Sequence, residues 1–340
     1  GKYDAPGVAD LVKDDKGVWS FTSTNLSPEL YSYNLILDGV KIVDPGSVYI
    51  TRDITSETNI FILSDKKGDC GDLYTVNEVP HGNVQKVWYD SPTLKMQRRM
   101  TVYTPAGYDK GKDYPVLYLL HGAGGDEDAW TTLGRASQIL DNLIATGKAK
   151  PMVVVMTNGN PNCQAAPGEW SAGMYVPSFY GYQGAKAVAT MDESFPDVMN
   201  YVESHYKVGK DKAHRAICGL SMGGGHSFDI SRRFPSKFDY VGLFSAGLHV
   251  GKTGDFRTDF YKMLQEDEEA KQQLATLFKN KPKLYWIGMG KTDFLYKSTA
   301  GLRRYFDEKG YKYTYMETEG GHIWRNWRVY LTEFAQKIFK

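Results

Sequence analysis

The sequence predicts an α/β fold, with a mostly parallel sheet covered by helices on both faces and preceded by a small all-β region. Three observations indicate this architecture. Strand and helix patterns alternate from about residue 84 to the carboxyl terminus. Short strands separated by turn residues fill residues 1–77. A serine flanked by glycines, Ser221, stands where a predicted strand meets a predicted helix.

The first region, residues 1–77, is predicted to be a small antiparallel sandwich of the immunoglobulin-like kind. Apolar and polar residues alternate over residues 18–22 and again over residues 31–37. The turn Asp38-Gly39 follows, and residues 40–43 continue as a strand, which is a strong hairpin signal. A further strand is predicted at residues 59–63.

The second region, residues 84–340, is predicted to form the α/β part of the chain. Its alternation of strands with helices is typical of a parallel sheet buried on both faces. The predicted strands lie at residues 100–103, 116–120, 152–156, 216–219, 240–244, 284–288 and 311–318. The predicted helices lie at residues 137–146, 194–205, 223–233, 258–278, 299–309 and 324–339.

Composition excludes several classes of protein. The 340 residues carry a formal net charge of +1 and contain no long run of lysine or arginine, so we expect no nucleic-acid partner. The longest apolar runs, such as residues 116–120, are too short to cross a bilayer. The sequence leaves the oligomeric state open.

Cofactor motifs are also absent from the sequence. The three cysteines form no CxxC pair, so no zinc or dithiol site is indicated, although an oxidising compartment would permit a Cys70–Cys163 disulfide. Residues 288–292 resemble the end of a phosphate-binding loop, but the first glycine of that motif is replaced by Tyr285. We therefore expect no nucleotide, no metal and no other cofactor.

The segment Gly219-x-Ser221-x-Gly223 predicts a nucleophile elbow. Small residues two before and two after the serine let the backbone turn sharply between strand and helix, which lifts the hydroxyl above the sheet. The helix that begins there directs its amino-terminal amides at the reacting centre. Ser221 is therefore the predicted nucleophile.

A serine nucleophile needs a base, and the base needs a group that orients it. His322 follows the last predicted strand in a glycine-rich loop, which suits a base placed over the nucleophile. Asp293 lies just after the strand at residues 284–288 and completes the order serine, acid, histidine. His249, which lies only one strand past the elbow, is predicted to be structural or to line the pocket.

An oxyanion formed on the substrate needs two backbone N–H donors. The amide of Met222, directly after the nucleophile, is the first predicted donor. The amide of Ala123, in the loop that follows residues 116–120, is the second. His121 in the same loop is predicted to be a structural hydrogen-bonding residue.

Four segments of the second region resemble the esterase D-like α/β hydrolases, and most closely the feruloyl and acetyl-xylan esterases of carbohydrate esterase family 1. They are residues 99–105 (RMTVYTP), 114–122 (YPVLYLLHG), 215–224 (RAICGLSMGG) and 320–327 (GGHIWRNW). The resemblance implies the α/β-hydrolase fold and a metal-free Ser–His–Asp hydrolase. The family's catalytic triad matches Ser221, His322 and Asp293, and its oxyanion amides match Ala123 and Met222.

The first region resembles a family 48 carbohydrate-binding module. The likeness lies in residues 17–21 (GVWSF), 33–39 (YNLILDG) and 44–45 (DP). Because Gly1 stands close to the first of these segments, we expect the strands that usually precede it to be missing. Two roles stay open for this region, glycan binding and structural support of the esterase.

Aromatic residues suggest where substrate would lie. The loop at residues 158–188 contains Trp170 and Tyr175, together with Phe179, Tyr180 and Tyr182, and these rings either cover an aryl acyl group or pack the loop onto the domain. Trp324, two residues after the predicted base, is expected at the rim of the pocket. Trp170, Tyr175 and Trp324 are therefore the candidate substrate contacts.

The resulting hypothesis is a serine esterase that releases ferulate or related hydroxycinnamates from arabinoxylan through an acyl-enzyme. The expected partners are feruloylated or acetylated xylan and its oligosaccharide esters. We expect a secreted, periplasmic or cell-surface location in a bacterium, with any export signal already removed.

Four other functions compete with this hypothesis. An acetyl-xylan esterase fits the same motifs. A siderophore esterase of the enterochelin type would need a basic pocket, and the loop at residues 158–188 has no clear cluster of arginine and lysine. An S-formylglutathione hydrolase has no use for the first region. A catalytically silent glycan-binding protein does not need serine, acid and histidine in this order.

Overall fold

The computed structural model describes residues 7–175, 187–251 and 260–340. The described part of the first region, residues 7–77, contains seven short strands and one short helix. Three of the strands form one antiparallel sheet in the order β3-β7-β6, while β1 pairs with β2 and β4 pairs with β5. These elements are β1 (Val12–Lys13), β2 (Trp19–Ser20), β3 (Glu29–Tyr33), β4 (Leu35–Leu37), β5 (Val40–Ile42), β6 (Ile50–Asp53), β7 (Ser56–Leu63) and α1 (Cys70–Tyr74).

The predicted Asp38-Gly39 hairpin is confirmed. Leu37 pairs with Val40, and the two turn residues have φ angles of +50° and +82°, as a two-residue turn of type I′ requires. The strand predicted at residues 31–37 is instead two strands. Asn34 separates them, because its side-chain amide donates to the carbonyls of Ile42 and Glu57 while the chain passes from one sheet to the other. The strands of the first region are thus present, and their arrangement as a sandwich stays a prediction.

The second region forms one eight-stranded sheet in the order β15-β14-β13-β12-β10-β11-β9-β8. β8 and β9, at one edge of the sheet, run antiparallel to their neighbours, and the other six strands are parallel to one another. The strands are β8 (Asn83–Ser91), β9 (Met96–Thr104), β10 (Val116–Leu120), β11 (Val153–Thr157), β12 (Arg215–Leu220), β13 (Tyr240–Phe244), β14 (Leu284–Gly290) and β15 (Thr314–Thr318). The helices are α2 (Ala129–Thr132), α3 (Ala136–Ala145), α4 (Met191–His205), α5 (Met222–Arg233), α6 (Phe260–Glu266), α7 (Glu268–Lys279), α8 (Tyr296–Lys309) and α9 (Trp324–Ala335).

Two apolar clusters cover the two faces of this sheet. Tyr118 and Ile217 belong to the cluster formed with α4, α5 and α8, whereas their neighbours Leu117 and Cys218 belong to the cluster formed with α3 and α9. Side chains alternate between faces along a strand, so both faces of β10 and β12 are buried. The predicted parallel sheet with helices on both faces is confirmed.

The strand order locates a crevice for ligands. β10 lies between β11 and β12, so the chain leaves β10 toward one side of the sheet and later returns on its other side. In such sheets ligands bind beyond the carboxyl ends of the strands where the order reverses. The loop after β10 and the turn after β12 meet at this point.

Some elements differ from the predictions. Residues 258–278 were predicted as one helix, but α6 and α7 are separate because the side chain of Asp267 accepts a hydrogen bond from the amide of Ala270 and caps α7. The beginning of that predicted helix, residues 258–259, lies outside the described residues. The last strand begins at Thr314 rather than at residue 311, and the edge strand β8 was not predicted.

The cysteines and the helices bear on two further expectations. Cys70, Cys163 and Cys218 are all free, so the permitted Cys70–Cys163 disulfide is not formed. Cys70 lies in α1 with its thiol directed at the carbonyl of Pro28, while Cys163 is buried in the loop after β11. No helix in the described ranges is long and apolar enough to cross a bilayer.

Candidate active site

Ser221 occupies a strained turn between β12 and α5. Its φ angle of +52° and ψ angle of −114° are rare for a residue with a side chain and cost about 1–3 kcal/mol. The surrounding backbone fixes this conformation: Ser221 donates its amide to the carbonyl of Phe244 at 2.9 Å, and its own carbonyl accepts from the amides of Gly225 and Gly247 at 3.0 and 2.9 Å. The Ser221 hydroxyl therefore has a fixed position at the carboxyl end of β12.

The two glycines of the elbow have no room for a side chain. A Cβ atom on Gly219 would lie 2.5 Å from the carbonyl oxygen of Gly223. A Cβ atom on Gly223 would lie 2.5 Å from the carbonyl oxygens of both Leu120 and His121. The close approach of β12, α5 and the end of β10 thus explains the glycines predicted from the motif.

The structure brings Ser221, His322 and Asp293 together. The Oγ atom of Ser221 lies 2.9 Å from Nε2 of His322, and Nδ1 of His322 lies 2.9 Å from Oδ2 of Asp293. Asp293 is fully buried, and its other carboxylate oxygen accepts the amide of Leu295 at 2.9 Å. This is the geometry of a nucleophile, a base and the group that orients the base.

The loop that carries His322 is held by side chains and backbone. Asn326 donates its side-chain amide to the carbonyls of Glu319 and Gly321, both at 3.0 Å. The ring of His322 packs against Phe294 and Trp327, with centroid distances of 4.5 and 4.9 Å. The imidazole is therefore oriented by contacts on both sides as well as by Asp293.

The candidate oxyanion donors lie on the two loops that meet beyond β10 and β12. The carbonyl of Gly122 accepts from Nδ1 of His121 at 2.7 Å and from the amide of Gly125 at 3.1 Å. Because N–H and C=O point in opposite directions in a trans peptide, the Ala123 amide faces away from His121. Ala123 itself lines the open cleft beside Ser221.

Met222 supplies the other candidate donor. It is the first residue of α5, where backbone amides have no acceptor within the helix and the helix dipole favours negative charge. His121 is buried, and its Nε2 accepts the amide of Gly159 at 2.8 Å. Burial lowers the pKa of His121, so the ring is neutral and serves as the structural hydrogen-bonding residue expected from the sequence.

A cleft of about 740 Å³ opens above the triad. Ser221, His322, Ala123 and Trp324 line it on the side of the α/β sheet. The opposite wall consists of residues 49–54 of the first region, which comprise β6 and its flanking residues. The sequence did not predict that the first region would contribute to this cleft.

The predicted substrate residues are dispersed. Trp324 lines the cleft and packs edge to face against Trp130 and Trp327, with centroid distances of 5.1 and 5.2 Å. Trp170 and Tyr175 are outside the described lining of the cleft, and the Tyr175 side chain is 89% exposed. Phe179, Tyr180 and Tyr182 lie outside the described residues. Contact of Trp170 and Tyr175 with substrate stays a prediction.

Two further histidines are near the site in the sequence: His226 lies in α5, which follows Ser221, and His249 follows β13. His226, on α5, was not singled out from the sequence, and its Nδ1 atom is buried without a hydrogen-bond partner. Burial, followed by the nearby His121, lowers the pKa of His226 to about 4. His249 is exposed after β13 and is outside the described lining of the cleft.

Among the described residues, no group of histidine, cysteine, aspartate or glutamate is arranged to hold a metal ion.

Comparison with known proteins decides the family. Residues 91–338 match the model of the family described as putative esterases. The chain belongs to this esterase family. It is also 32% identical to an endo-1,4-β-xylanase/feruloyl esterase of Xylanibacter ruminicola, over 98% of this chain and 42% of that protein. This member of the esterase family thus spans less than half the length of that relative.

Solved structures confirm the predicted α/β-hydrolase fold and the resemblance to carbohydrate esterase family 1. A CE1 ferulic acid esterase from Anaeromyces mucronatus, determined without substrate, matches with a TM-score of 0.60 and 26% identity, over 79% of this chain and 96% of that one. The feruloyl esterase module from Clostridium thermocellum, complexed with sinapinate, matches with a TM-score of 0.60, over 78% of this chain and 91% of that one. Its identity is 18%, so this second match shows the fold alone.

Proposed function

We propose that this esterase releases ferulate or a related hydroxycinnamate from plant cell-wall arabinoxylan through an acyl-enzyme. The observation that carries the proposal is the hydrogen-bonded line from Ser221 through His322 to Asp293 at the base of an open cleft. The xylanase/feruloyl esterase relative and the CE1 structure support this choice of ester. Action on a wall polysaccharide also supports a secreted, periplasmic or cell-surface location.

In the acylation half, the Ser221 hydroxyl attacks the ester carbonyl while Nε2 of His322 takes its proton. Asp293 accepts the Nδ1–H of His322 and stabilises the imidazolium that forms. The amides of Ala123 and Met222 donate to the oxyanion of the tetrahedral intermediate, and losing one such donor costs roughly 3–4 kcal/mol of transition-state stabilisation. His322 then protonates the oxygen of the departing sugar.

In the deacylation half, the same residues act on water. His322 removes a proton from a water molecule, which attacks the acyl carbonyl on Ser221 and passes through a second oxyanion. When this intermediate collapses, His322 returns the proton to the Ser221 oxygen and the acid is released. The triad supplies the acid and base in both halves, so the proposed chemistry uses side chains and backbone amides alone.

The test is a panel of esters with wild-type protein and the Ser221→Ala variant. The wild type should hydrolyse p-nitrophenyl ferulate faster than p-nitrophenyl acetate, which has the same leaving group, and faster than a triserine lactone. Ser221→Ala should lower kcat for the ferulate by at least about 10⁴-fold, because residual catalysis would rest on binding and the oxyanion amides. Preference for the acetate would indicate an acetyl esterase, and preference for the lactone a siderophore esterase. Lack of wild-type turnover on all three esters would refute the esterase proposal.

A further inference from the structure

The first region forms a fixed wall of the cleft. Arg52 of β6 pairs with Asp126 at 2.7 Å, and this carboxylate is 3% exposed on the loop that also carries Ala123. Arg135, just before α3, donates to the hydroxyl of Tyr49 at 2.5 Å and lies against its ring. The wall and the oxyanion loop are therefore joined by an ion pair between the exposed Arg52 and the buried Asp126.

The wall presents a carboxylate without a partner. Asp53 lines the cleft, and no hydrogen bond or ion pair from the described part of the chain reaches its side chain. The neighbouring Arg52 is engaged with Asp126 and with the carbonyl of Ile54. The Asp53 carboxylate remains accessible from the cleft, yet protein atoms crowd it enough that burial raises the pKa of its carboxyl group.

The turn that follows Asp53 is strained. Ile54, which also lines the cleft, has a φ angle of +55°, in the left-handed region that a β-branched residue rarely adopts. Glycine would satisfy this two-residue turn between β6 and β7 without strain. Backbone strain of this kind persists only where surrounding contacts enforce the conformation, and strained residues cluster at functional sites. Ile54 lies on the cleft wall that also contains Asp53.

The chemistry of the triad shows which part of an ester lies beside this wall. His322 must protonate the departing oxygen, so the alcohol part of the ester has to lie on the His322 side of Ser221. Asp53, Trp324 and His322 line the cleft together, and the same three residues line an adjoining cavity of about 390 Å³. The wall and Trp324 therefore border the space that the alcohol part enters.

We propose that Asp53 and Trp324 bind the pentose on the alcohol side of the scissile ester. The carboxylate of Asp53 accepts hydrogen bonds from sugar hydroxyls, and the indole of Trp324 packs against the apolar face of the ring. The inference rests on the proposed function for the identity of the ester, and it assigns to the first region a part in selecting the alcohol. The region then contacts substrate at the reacting centre.

The experiment compares two esters of the same acid. Asp53→Asn should lower kcat/KM for a feruloylated arabinoxylo-oligosaccharide, relative to kcat/KM for methyl ferulate, by about 10-fold to 100-fold, the loss expected for a hydrogen bond to a charged group. Glu57→Gln is the matched control, since Glu57 is an exposed carboxylate on β7 outside the lining of both cavities. It should leave this ratio at the wild-type value.

A binding measurement separates this inference from the proposed function. Calorimetric titration of the Ser221→Ala variant with the same oligosaccharide ester reports the sugar contacts without turnover, and adding Asp53→Asn should raise its Kd by about 10-fold or more. An unchanged Kd, or an equal loss of kcat/KM on both esters, would overturn the role of Asp53. Failure of the wild type to hydrolyse either ester would refute the proposed function instead.

Discussion

At the scale of single residues, the glycines of the elbow leave no room for a side chain. We expect Gly223→Ala to lower the free energy of unfolding by more than about 3 kcal/mol, because its Cβ would lie 2.5 Å from two backbone oxygens that cannot move aside. Chemical denaturation measures this. Gly247→Ala is the control beside the same serine, since its Cβ would meet the Ser221 oxygen at an ordinary 3.5 Å. Equal stabilities of the two variants would contradict the steric account.

His226 gives a prediction about pH. Its pKa in the folded protein is about 4, so below the ordinary value of roughly 6.5 the unfolded chain takes up a proton that the folded chain refuses. The free energy of unfolding should therefore fall by up to about 3 kcal/mol as the pH drops from about 6.5 to about 4. His226→Leu should remove this part of the acid sensitivity in denaturation curves at pH 4.5, 5.5 and 7. The exposed His205→Gln serves as control, and parallel losses in wild type and His226→Leu would refute the assignment.

The sequence was sufficient to predict those site residues that stand at the ends of predicted strands. Ser221, Asp293 and His322 each end or follow a predicted strand, and parallel strands bring such positions to one edge of a sheet. The structure places these three side chains within hydrogen-bonding distance, while their catalytic roles stay a proposal. The sequence did not predict that Asp53 and Trp327 line the cleft. Their positions depend on how segments distant in the sequence pack together, and no local sequence pattern indicates this packing.

At the scale of helices and strands, the fully apolar strands were predicted most accurately. Residues 116–120 and 240–244 are apolar throughout, and their predicted bounds are those observed. Polar side chains that act on the backbone caused the errors, as when Asn34 divides one predicted strand and Asp267 divides one predicted helix. The edge strand β8 is largely exposed, so its sequence lacks the apolar run that identifies a buried strand.

The contact of β3 with α9 supplies a prediction at this scale. Glu29 is 3% exposed in its side chain and lies 3.4 Å from Arg325 and 3.5 Å from Arg328. Glu29→Ala should lower the free energy of unfolding by about 3 kcal/mol, because Arg328 is also buried and would lose its carboxylate partner. Denaturation measures the loss. Glu57→Ala, on the exposed side of β7, should change stability by less than about 0.5 kcal/mol, and a similar effect of both variants would count against the buried pair.

At the scale of the whole molecule, the two regions are joined at the cleft and at Glu29. We expect the full chain to unfold in a single calorimetric transition, since the ion pairs Arg52–Asp126 and Glu29–Arg328 join surfaces that neither region buries alone. The double variant Arg52→Ala, Glu29→Ala should broaden or divide this transition. Two separate transitions in the wild type would show that the regions are thermodynamically independent. The division into residues 1–77 and 84–340 rests on the change from an all-β pattern to alternating strands and helices, and it stays a prediction.

The two-sided cleft has a consequence for how new specificities could arise. Part of the alcohol selectivity would be encoded apart from the triad, since residues 49–56, which comprise β6, its turn and the first residue of β7, supply none of the three catalytic side chains proposed here. Exchange of residues 49–56 between relatives would then transplant a preference for one sugar decoration while leaving the acylation machinery in place.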